Sequence, residues 1–232
     1  GYMYTDNGFW DTFRAVHPLF TLLYPEVSER VTQSILNAYD ESGFMPEWAS
    51  PGHRECMIGN NSISLLTDAW MKGIRTICPE KALEAMIHQT EARHPGISSV
   101  GRDGFGYYDR LGYVPYPEVH EATAKTLEYA YVDWCVARFA DSIGRKEIAD
   151  TYYRKALNYR NLYYPDYGFM WAKDANGKWR DAFDATEWGG PFTEGSSWHW
   201  TWSVLHDPEG LSRLMGGHTA MEARLDSMFT AP

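Results

Sequence analysis

Cysteine is scarce in this chain of 232 residues and occurs three times, at Cys56, Cys78 and Cys135. An odd number of cysteines without a C-x-x-C pair argues against a disulfide framework and against a cysteine-based zinc site. The sequence also lacks a long apolar run and an N-terminal signal peptide, so it predicts no membrane partner. The chain begins with glycine, which is compatible with the removal of a leader or an upstream domain.

Positive charge is in short supply. The chain has 21 Lys and Arg residues against 31 Asp and Glu residues, a formal net charge of −10, and its basic residues form no cluster. Such a surface repels a phosphate backbone, which excludes nucleic acid as the expected partner. A neutral polar ligand fits better, because sugars offer C–H faces to aromatic rings and hydroxyls to carboxylates.

Several motifs of common catalysts are missing. The sequence has no G-x-S-x-G nucleophile elbow, no glycine-rich phosphate loop and no H-E-x-x-H zinc motif. His199 lies close to Glu194 in sequence, but no serine or cysteine completes a triad with them. These absences disfavour a serine hydrolase, a P-loop NTPase and a zinc protease.

Aromatic residues, in contrast, are abundant. They make up 16% of the chain and include ten tryptophans, although the hydrophobic share of 44% and the charged share of 22% are ordinary. A globular protein of normal composition can bury a core without so many rings. We therefore expect some of the rings to serve a ligand.

Apolar residues recur at helical spacing along most of the chain, which predicts an all-α fold. Long loops at 41–56, 93–119 and 164–196 separate the helices, and loops of this length commonly carry function. Helical hairpins with such loops are typical of an α/α toroid, here within a single domain over residues 1–232. The predicted helices cover residues 17–40 with a possible break at Pro25, 57–73, 79–91, 120–143, 146–164, 197–206, 208–215 and 218–229.

The stretch FTEGSSWHW places one acid, Glu194, before several aromatic rings. One of the two serines that follow can cap the next helix, whose dipole favours the carboxylate. Burial against Trp198 and Trp200 would favour the protonated form that a glycosidase acid needs. The alternative is a glutamate that only braces the loop or caps the helix.

Two residues near the N-terminus form a second candidate site. Trp10 and Asp11 precede a predicted helix, with Arg14 close behind. A ring for the face of a sugar beside a carboxylate for its hydroxyls would make a carbohydrate clamp. An Asp–Arg ion pair near a helix start is an equally good interpretation.

A third candidate lies on the loop before the helix at 57–73. His53 and Arg54 follow a Pro-Gly pair, and Asn60 and Asn61 lie one turn inside the predicted helix. Asparagine is a poor helix former, so a local reason for the pair is expected. Hydrogen bonds to a ligand and internal hydrogen bonds between helices both satisfy this expectation.

These blocks together resemble glycoside hydrolase family 92, the calcium-dependent exo-acting α-mannosidases. The resemblance runs from about Tyr4 to Phe229, and the order of several long blocks makes it specific. The stretches that carry it are YTDNGFWDTFRAVHPL, MPEWASPGHRECMIGNNS, DAWMKGI, GRDGFGYYDRLGYVPY, KTLEYAYVDWC, FTEGSSWHWTWSVLHDPEGL and LMGG.

The resemblance implies a fold and a chemistry. The family joins an N-terminal β-sandwich to a C-terminal (α/α)₆ toroid, and this chain resembles the first part of the toroid only. The family inverts the anomeric centre, which requires a general acid and a base that activates water. The E-G-x-x-W block of the acid falls on Glu194. The blocks for the base and for calcium do not occur here, so we expect the base and the calcium ligands downstream.

Further expectations follow from the same resemblance. The ligand would be a mannose-containing oligosaccharide, and the protein would be secreted or periplasmic. An incomplete toroid would expose an apolar seam, which favours self-association. Two alternatives stay open: a non-catalytic carbohydrate-binding module, and another α/α glycosidase or a lyase, although the net charge of −10 disfavours a lyase for acidic sugars. The candidate substrate-binding residues are Trp10, Asp11, His53, Arg54, Asn60, Asn61, Trp198 and His199.

Overall fold

The computed structural model describes residues 2–4, 6–50 and 52–230, and it confirms the all-α class. Over these residues the regular structure is helical apart from one pair of two-residue strands, β1 (Tyr163–Tyr164) and β2 (Phe169–Met170), which pair antiparallel. No helix in this part of the chain is long and apolar enough to cross a membrane. The helices are α1 (Phe9–Thr12), α2 (Val16–Leu23), α3 (Pro25–Ser42), α4 (Asn61–Met71), α5 (Pro79–Glu91), α6 (Phe105–Leu111), α7 (Ala122–Ser142), α8 (Lys146–Lys155), α9 (Ser197–Trp200), α10 (Pro208–Met215) and α11 (His218–Met228), with a 3₁₀ turn at Asn158–Leu162.

Proline and glycine set several of the helix ends as the sequence predicts. Pro25 begins α3 directly after α2, and Pro79 is the first residue of α5. Proline suits the first helical position because its missing N–H would have no intrahelical partner there. Gly43 ends α3 in the left-handed conformation, with a φ of 78°, and its amide donates to the carbonyl of Tyr39.

Three predicted segments differ from the observed helices. The segment predicted to start at 57 begins at Asn61, because Met57 and Gly59 have positive φ values of 76° and 79°, which a right-handed helix excludes. The segment predicted over 146–164 ends at Lys155, where the chain passes into the 3₁₀ turn and β1. The segment predicted over 197–206 is helical only to Trp200. In addition, Phe105–Leu111 is a helix within the stretch 93–119 that was predicted to be a loop.

The chain divides into two compact units. Unit 1 contains residues 1–105 and 132–156, and unit 2 contains residues 106–131 and 157–232, so α7 contributes residues to both. The prediction of a single domain over residues 1–232 is not tested by this division and stays a prediction.

The core of unit 1 lies between α3, α4 and α5. Ile35 and Leu36 of α3, Ile63 and Leu66 of α4, and Met86 of α5 are at most 1% exposed. Each such side chain stabilises the fold by about 1.5–3 kcal/mol through burial.

Helix α2, by contrast, exposes apolar side chains to solvent. These are Leu19, Leu22 and Leu23. The apolar seam and the self-association expected from it stay predictions.

The core of unit 2 is aromatic. Tyr108 of α6 and Tyr129 of α7 lie edge-to-face with a centroid distance of 5.6 Å. Trp171, which follows β2, is fully buried, and Phe192 in the loop before α9 is 1% exposed. Trp171 and Phe192 thus fix the two ends of the segment 171–192, which leads to Glu194.

The buried His17 gives unit 1 a predicted sensitivity to acid. Its ring is 5% exposed and lies edge-on to Phe9 and Phe20, with centroid distances of 5.8 Å in both cases. Burial lowers the pKa of His17 to about 4, while in the unfolded chain it titrates near 6.5. The folded state therefore binds fewer protons between these values, and the stability of the fold should fall as the pH drops from about 6.5 toward 4.

Replacing His17 with leucine should remove this part of the acid destabilisation. We expect the difference in unfolding free energy between about pH 7 and about pH 4.5 to be smaller in the variant, measured by urea denaturation. The matched control is His120→Gln, because His120 is 76% exposed and its replacement changes no buried site. Equal losses of stability in the wild type and in His17→Leu would contradict the assignment.

Candidate active site

Glu194 stands on a short loop that is closed on itself. The amide of Gly189 donates to the carbonyl of Gly195 at 2.8 Å, and Phe192 anchors the loop in the core. Glu194 has a positive φ of 45°, an uncommon conformation for a residue with a side chain, and its side chain is exposed. Such backbone conformations persist where the surrounding structure holds them, and they concentrate at functional sites.

The residues after Glu194 form the predicted helix cap. Ser196 precedes α9, and its amide donates to Nδ1 of His199 at 3.2 Å, while its Oγ lies 3.1 Å from the same nitrogen. Because Nδ1 accepts the amide proton, the neutral ring must carry its own proton on Nε2. Ser196 is the N-cap of α9 and forms a capping box with His199, so the expectation of a serine cap is confirmed.

The expected burial of Glu194 against Trp198 and Trp200 is wrong. Trp200 is 4% exposed, and its Nε1 donates to the carbonyl of Thr193 at 2.8 Å, so its ring lies in the core below the loop. The Trp198 ring packs edge-on to Phe169, with centroids 4.7 Å apart. Trp198 and Trp200 follow Glu194 closely in sequence. They do not enclose its side chain, because α9 begins between the acid and these rings.

One residue beside this loop was not among the candidates. Trp188 is 65% exposed, and its ring lies edge-to-face with His199 at a centroid distance of 5.4 Å. The sequence signal was weak, since Trp188 is one of ten tryptophans and stands in a long loop before two glycines.

In unit 1, the structure joins the N-terminal candidate segment to the loop at 46–54. The amide of Phe9 donates to the carbonyl of Glu47 at 2.9 Å, and Gly8 pairs with Trp48 in an isolated antiparallel bridge. Nε1 of Trp48 also donates to the carbonyl of Asp6 at 2.6 Å. Two of the predicted site segments are therefore neighbours, which the sequence alone did not show.

Trp10 and Asp11 lie on α1 at this junction. Trp10 is half-buried, Asp11 is exposed, and the Arg14 guanidinium lies 5.5 Å from the Trp10 ring and 4.7 Å from the Phe13 ring. These are cation–π distances, so Arg14 contacts aromatic rings. The clamp for a sugar stays a prediction.

His53 faces a cavity of about 640 Å³ whose lining also includes Asp6, Glu41 and Ser50. Its Nε2 lies 2.8 Å from Oγ of Ser42. Burial, together with the charge of His94, lowers the pKa of His53, so the ring is neutral at neutral pH. A neutral imidazole can accept or donate a hydrogen bond to a hydroxyl-rich ligand.

Arg54, the neighbour of His53, is exposed. Its guanidinium lies 4.8 Å from the ring of Trp48, and its Nη1 donates to the carbonyl of Ser50 at 3.4 Å. These contacts fix the arginine on the same loop as His53. Its role in substrate binding stays a prediction.

The two asparagines are fully buried at the start of α4. Nδ2 of Asn60 donates to the carbonyl of Gly101 at 2.9 Å, and its Oδ1 accepts from Nε of Arg102 at 2.9 Å. Nδ2 of Asn61 donates to the carbonyl of Ile58 at 3.2 Å. These bonds favour the internal interpretation, and substrate binding by this pair stays a prediction.

Sequence reasoning also missed a buried acid. Glu47 is 1% exposed and accepts hydrogen bonds from Ser62 N at 3.3 Å, Ser62 Oγ at 3.0 Å and Gln89 Nε2 at 3.1 Å. Burial raises the pKa of Glu47 to about 8, against the effect of these donors. The carboxyl group of Glu47 thereby connects the loop at 46–50 to both α4 and α5.

The described residues do not fit a calcium site. No group of three or more His, Cys, Asp or Glu side chains in residues 2–4, 6–50 and 52–230 is placed to hold a metal ion. Calcium prefers six to eight oxygen ligands, several of them carboxylates.

Comparison with known proteins places the chain in a family. The profile of the glycosyl hydrolase family 92 catalytic domain matches residues 1–232. The chain belongs to glycosyl hydrolase family 92. This confirms the resemblance drawn from the order of several long sequence blocks.

Family 92 proteins of known structure are similar to this chain over nearly its whole length. A family GH92 inverting mannosidase from Bacteroides thetaiotaomicron VPI-5482 is 84% identical, with a TM-score of 0.97 over 98% of this chain and 31% of that one. A family GH92 α-mannosidase from the same species is 34% identical, with a TM-score of 0.87 over 96% of this chain and 29% of that one.

A protein described as an uncharacterized secreted glycosidase from Arthroderma benhamiae is 26% identical over 83% of this chain and 29% of its own length. The chain thus spans about a third of the length of these relatives.

Proposed function

We propose that this chain is part of the catalytic domain of an inverting exo-α-mannosidase that removes terminal α-linked mannose from mannans or N-glycans. The observation that carries the proposal is its 84% identity, over 98% of its length, to an inverting mannosidase of family 92. Glu194 lies on a closed loop with an exposed carboxyl group, which is a suitable place for a group that must reach a substrate.

In the proposed reaction, Glu194 is the general acid. Its carboxyl proton moves to the glycosidic oxygen as the bond between that oxygen and the anomeric carbon breaks. A water molecule attacks the anomeric carbon from the opposite face and loses its proton to a base. The α-mannoside is thereby converted to β-mannose and a free alcohol.

In unit 1, the remaining candidates are proposed to bind the hydroxyls and ring face of a sugar. Asp11 and Arg54 are exposed and charged, so they can bond to hydroxyls, while the half-buried Trp10 offers part of a ring. In unit 2, Trp198 is half-buried and His199 presents its Nε2 proton. Sugar sites commonly combine rings with a few polar groups in this way.

Calcium is proposed only for the longer protein. As the family resemblance implies, its ligands are proposed to lie outside these 232 residues. Our proposed mechanism therefore has no step through calcium, and the base is likewise assigned to another part of the protein.

The stereochemistry of the product tests the proposal. We expect the full-length protein to release β-mannose first from an α-linked mannobiose, with the α-anomer appearing only by slow mutarotation. Proton NMR of the anomeric signals during the first minutes of reaction distinguishes the two.

The other outcomes are equally informative. Initial release of α-mannose would mean retention and would reject the inverting mechanism. Binding of mannobiose without any hydrolysis, measured by calorimetry, would favour the alternative of a non-catalytic carbohydrate-binding module.

A further inference from the structure

Trp188 is an exposed tryptophan held in a fixed place next to the proposed acid. Its ring is 65% exposed, whereas Trp171 and Trp200 of the same unit are 0% and 4% exposed. An exposed indole leaves a large apolar surface in water, and such surfaces commonly mark a site of contact with a ligand.

One backbone hydrogen bond closes the turn between Trp188 and Glu194, and a second anchors this turn to Glu121. The residue after Trp188, Gly189, donates its amide to the carbonyl of Gly195, the residue after Glu194, at 2.8 Å. The next residue, Gly190, accepts from the amide of Glu121 at 3.2 Å. Trp188 and Glu194 therefore lie near the two ends of one closed turn.

A side-chain contact also fixes the orientation of the Trp188 ring. His199 contacts it edge-to-face, at 5.4 Å between centroids and 83° between planes. His199 is in turn fixed by the Ser196 amide, 3.2 Å from its Nδ1. A ring held in this way loses little conformational freedom when a ligand stacks on it.

We propose that Trp188 binds the leaving-group sugar of the substrate. This inference rests on the proposed function, since a general acid protonates the glycosidic oxygen and must therefore lie against the group that departs. A neutral pyranose on that side would place its C–H face on the exposed indole, which carries no charge and suits an uncharged sugar. The substrate class is thus an α-mannoside whose leaving group is itself a sugar.

The test compares two substrates whose leaving groups are both unactivated alcohols. An α-linked mannobiose has a sugar ring to stack on Trp188, and methyl α-mannoside does not. In the full-length enzyme, we expect Trp188→Ala to lower kcat/KM for mannobiose roughly tenfold or more, and for methyl α-mannoside much less. Trp188→Phe should recover most of the loss, because it restores an aromatic face.

Glu194→Gln separates this inference from the proposed function. It should slow both substrates, since both need a proton on the leaving oxygen. If Trp188→Ala also slows both substrates equally, it acts through the acid and the assignment to the leaving-group sugar is overturned, while the mannosidase function stands. If Trp188→Ala slows neither, the assignment is likewise overturned. If the wild type hydrolyses neither substrate, the proposed function fails and this inference fails with it.

Discussion

Glu194→Gln should slow the hydrolysis of natural mannosides by about 10²–10⁴-fold, because the amide keeps the shape of the side chain and removes the proton supply. The effect should depend on the leaving group. Sugars are poor leaving groups and need protonation, whereas a nitrophenolate departs without it. We therefore expect a much smaller loss with an aryl mannoside, measured as kcat/KM on both substrates with the full-length enzyme and calcium present.

A nearby acid provides the control for this experiment. Glu187 is bound by both terminal nitrogens of Arg180, at 2.7 and 2.9 Å, and so has a structural partner of its own. Glu187→Gln should leave the ratio of the two activities unchanged. Losses of equal size on both substrates in Glu194→Gln, or no loss on either, would favour the alternative in which Glu194 only braces the loop.

Much of the helical structure was predictable because apolar spacing and helix-end residues are local signals. The segment at 79–91 is an example, since Pro79 begins α5 and the buried Ala82, Leu83 and Met86 repeat at helical spacing. The segment after Lys155 was predicted wrongly. Its apolar residues Tyr159 and Leu162 are buried, as they would be in a helix, but they belong to a 3₁₀ turn that leads into β1. Burial alone does not distinguish the two structures.

The surroundings of the candidate residues were only partly predictable, and their roles stay predictions. The serine cap after Glu194 follows from local chemistry, whereas the exposure of Glu194 depends on how Phe192 and Trp200 anchor the loop. The exposure of Trp188 and the burial of Glu47 are likewise properties of tertiary packing. Residue type cannot reveal them when tryptophans and acids occur throughout the chain.

A buried ion pair in unit 1 supports the second large expected effect. Nη2 of Arg102 lies 2.8 Å from Oδ1 of Asp133, and the two side chains are 1% and 0% exposed. Nε of the same arginine donates to Asn60, the residue that precedes α4. Arg102 thus connects α7 to the residue that precedes α4.

Removing the arginine should destabilise the fold strongly. Arg102→Met leaves the Asp133 carboxylate buried without its cation, and breaking such pairs typically costs about 3–5 kcal/mol of unfolding free energy. The double variant Arg102→Met/Asp133→Leu should be much closer to the wild type, because no buried charge is then left uncompensated. Urea denaturation of the three proteins measures the differences.

An exposed ion pair gives the matched control. Arg213 and Glu209 lie 3.2 Å apart, with side chains 72% and 51% exposed, so Arg213→Met should cost less than about 1 kcal/mol. If Arg102→Met costs no more than Arg213→Met, the buried pair does not stabilise unit 1 as proposed. If the double variant is as unstable as Arg102→Met, the loss comes from the missing bond to Asn60 and from packing, and the charge on Asp133 is not its cause.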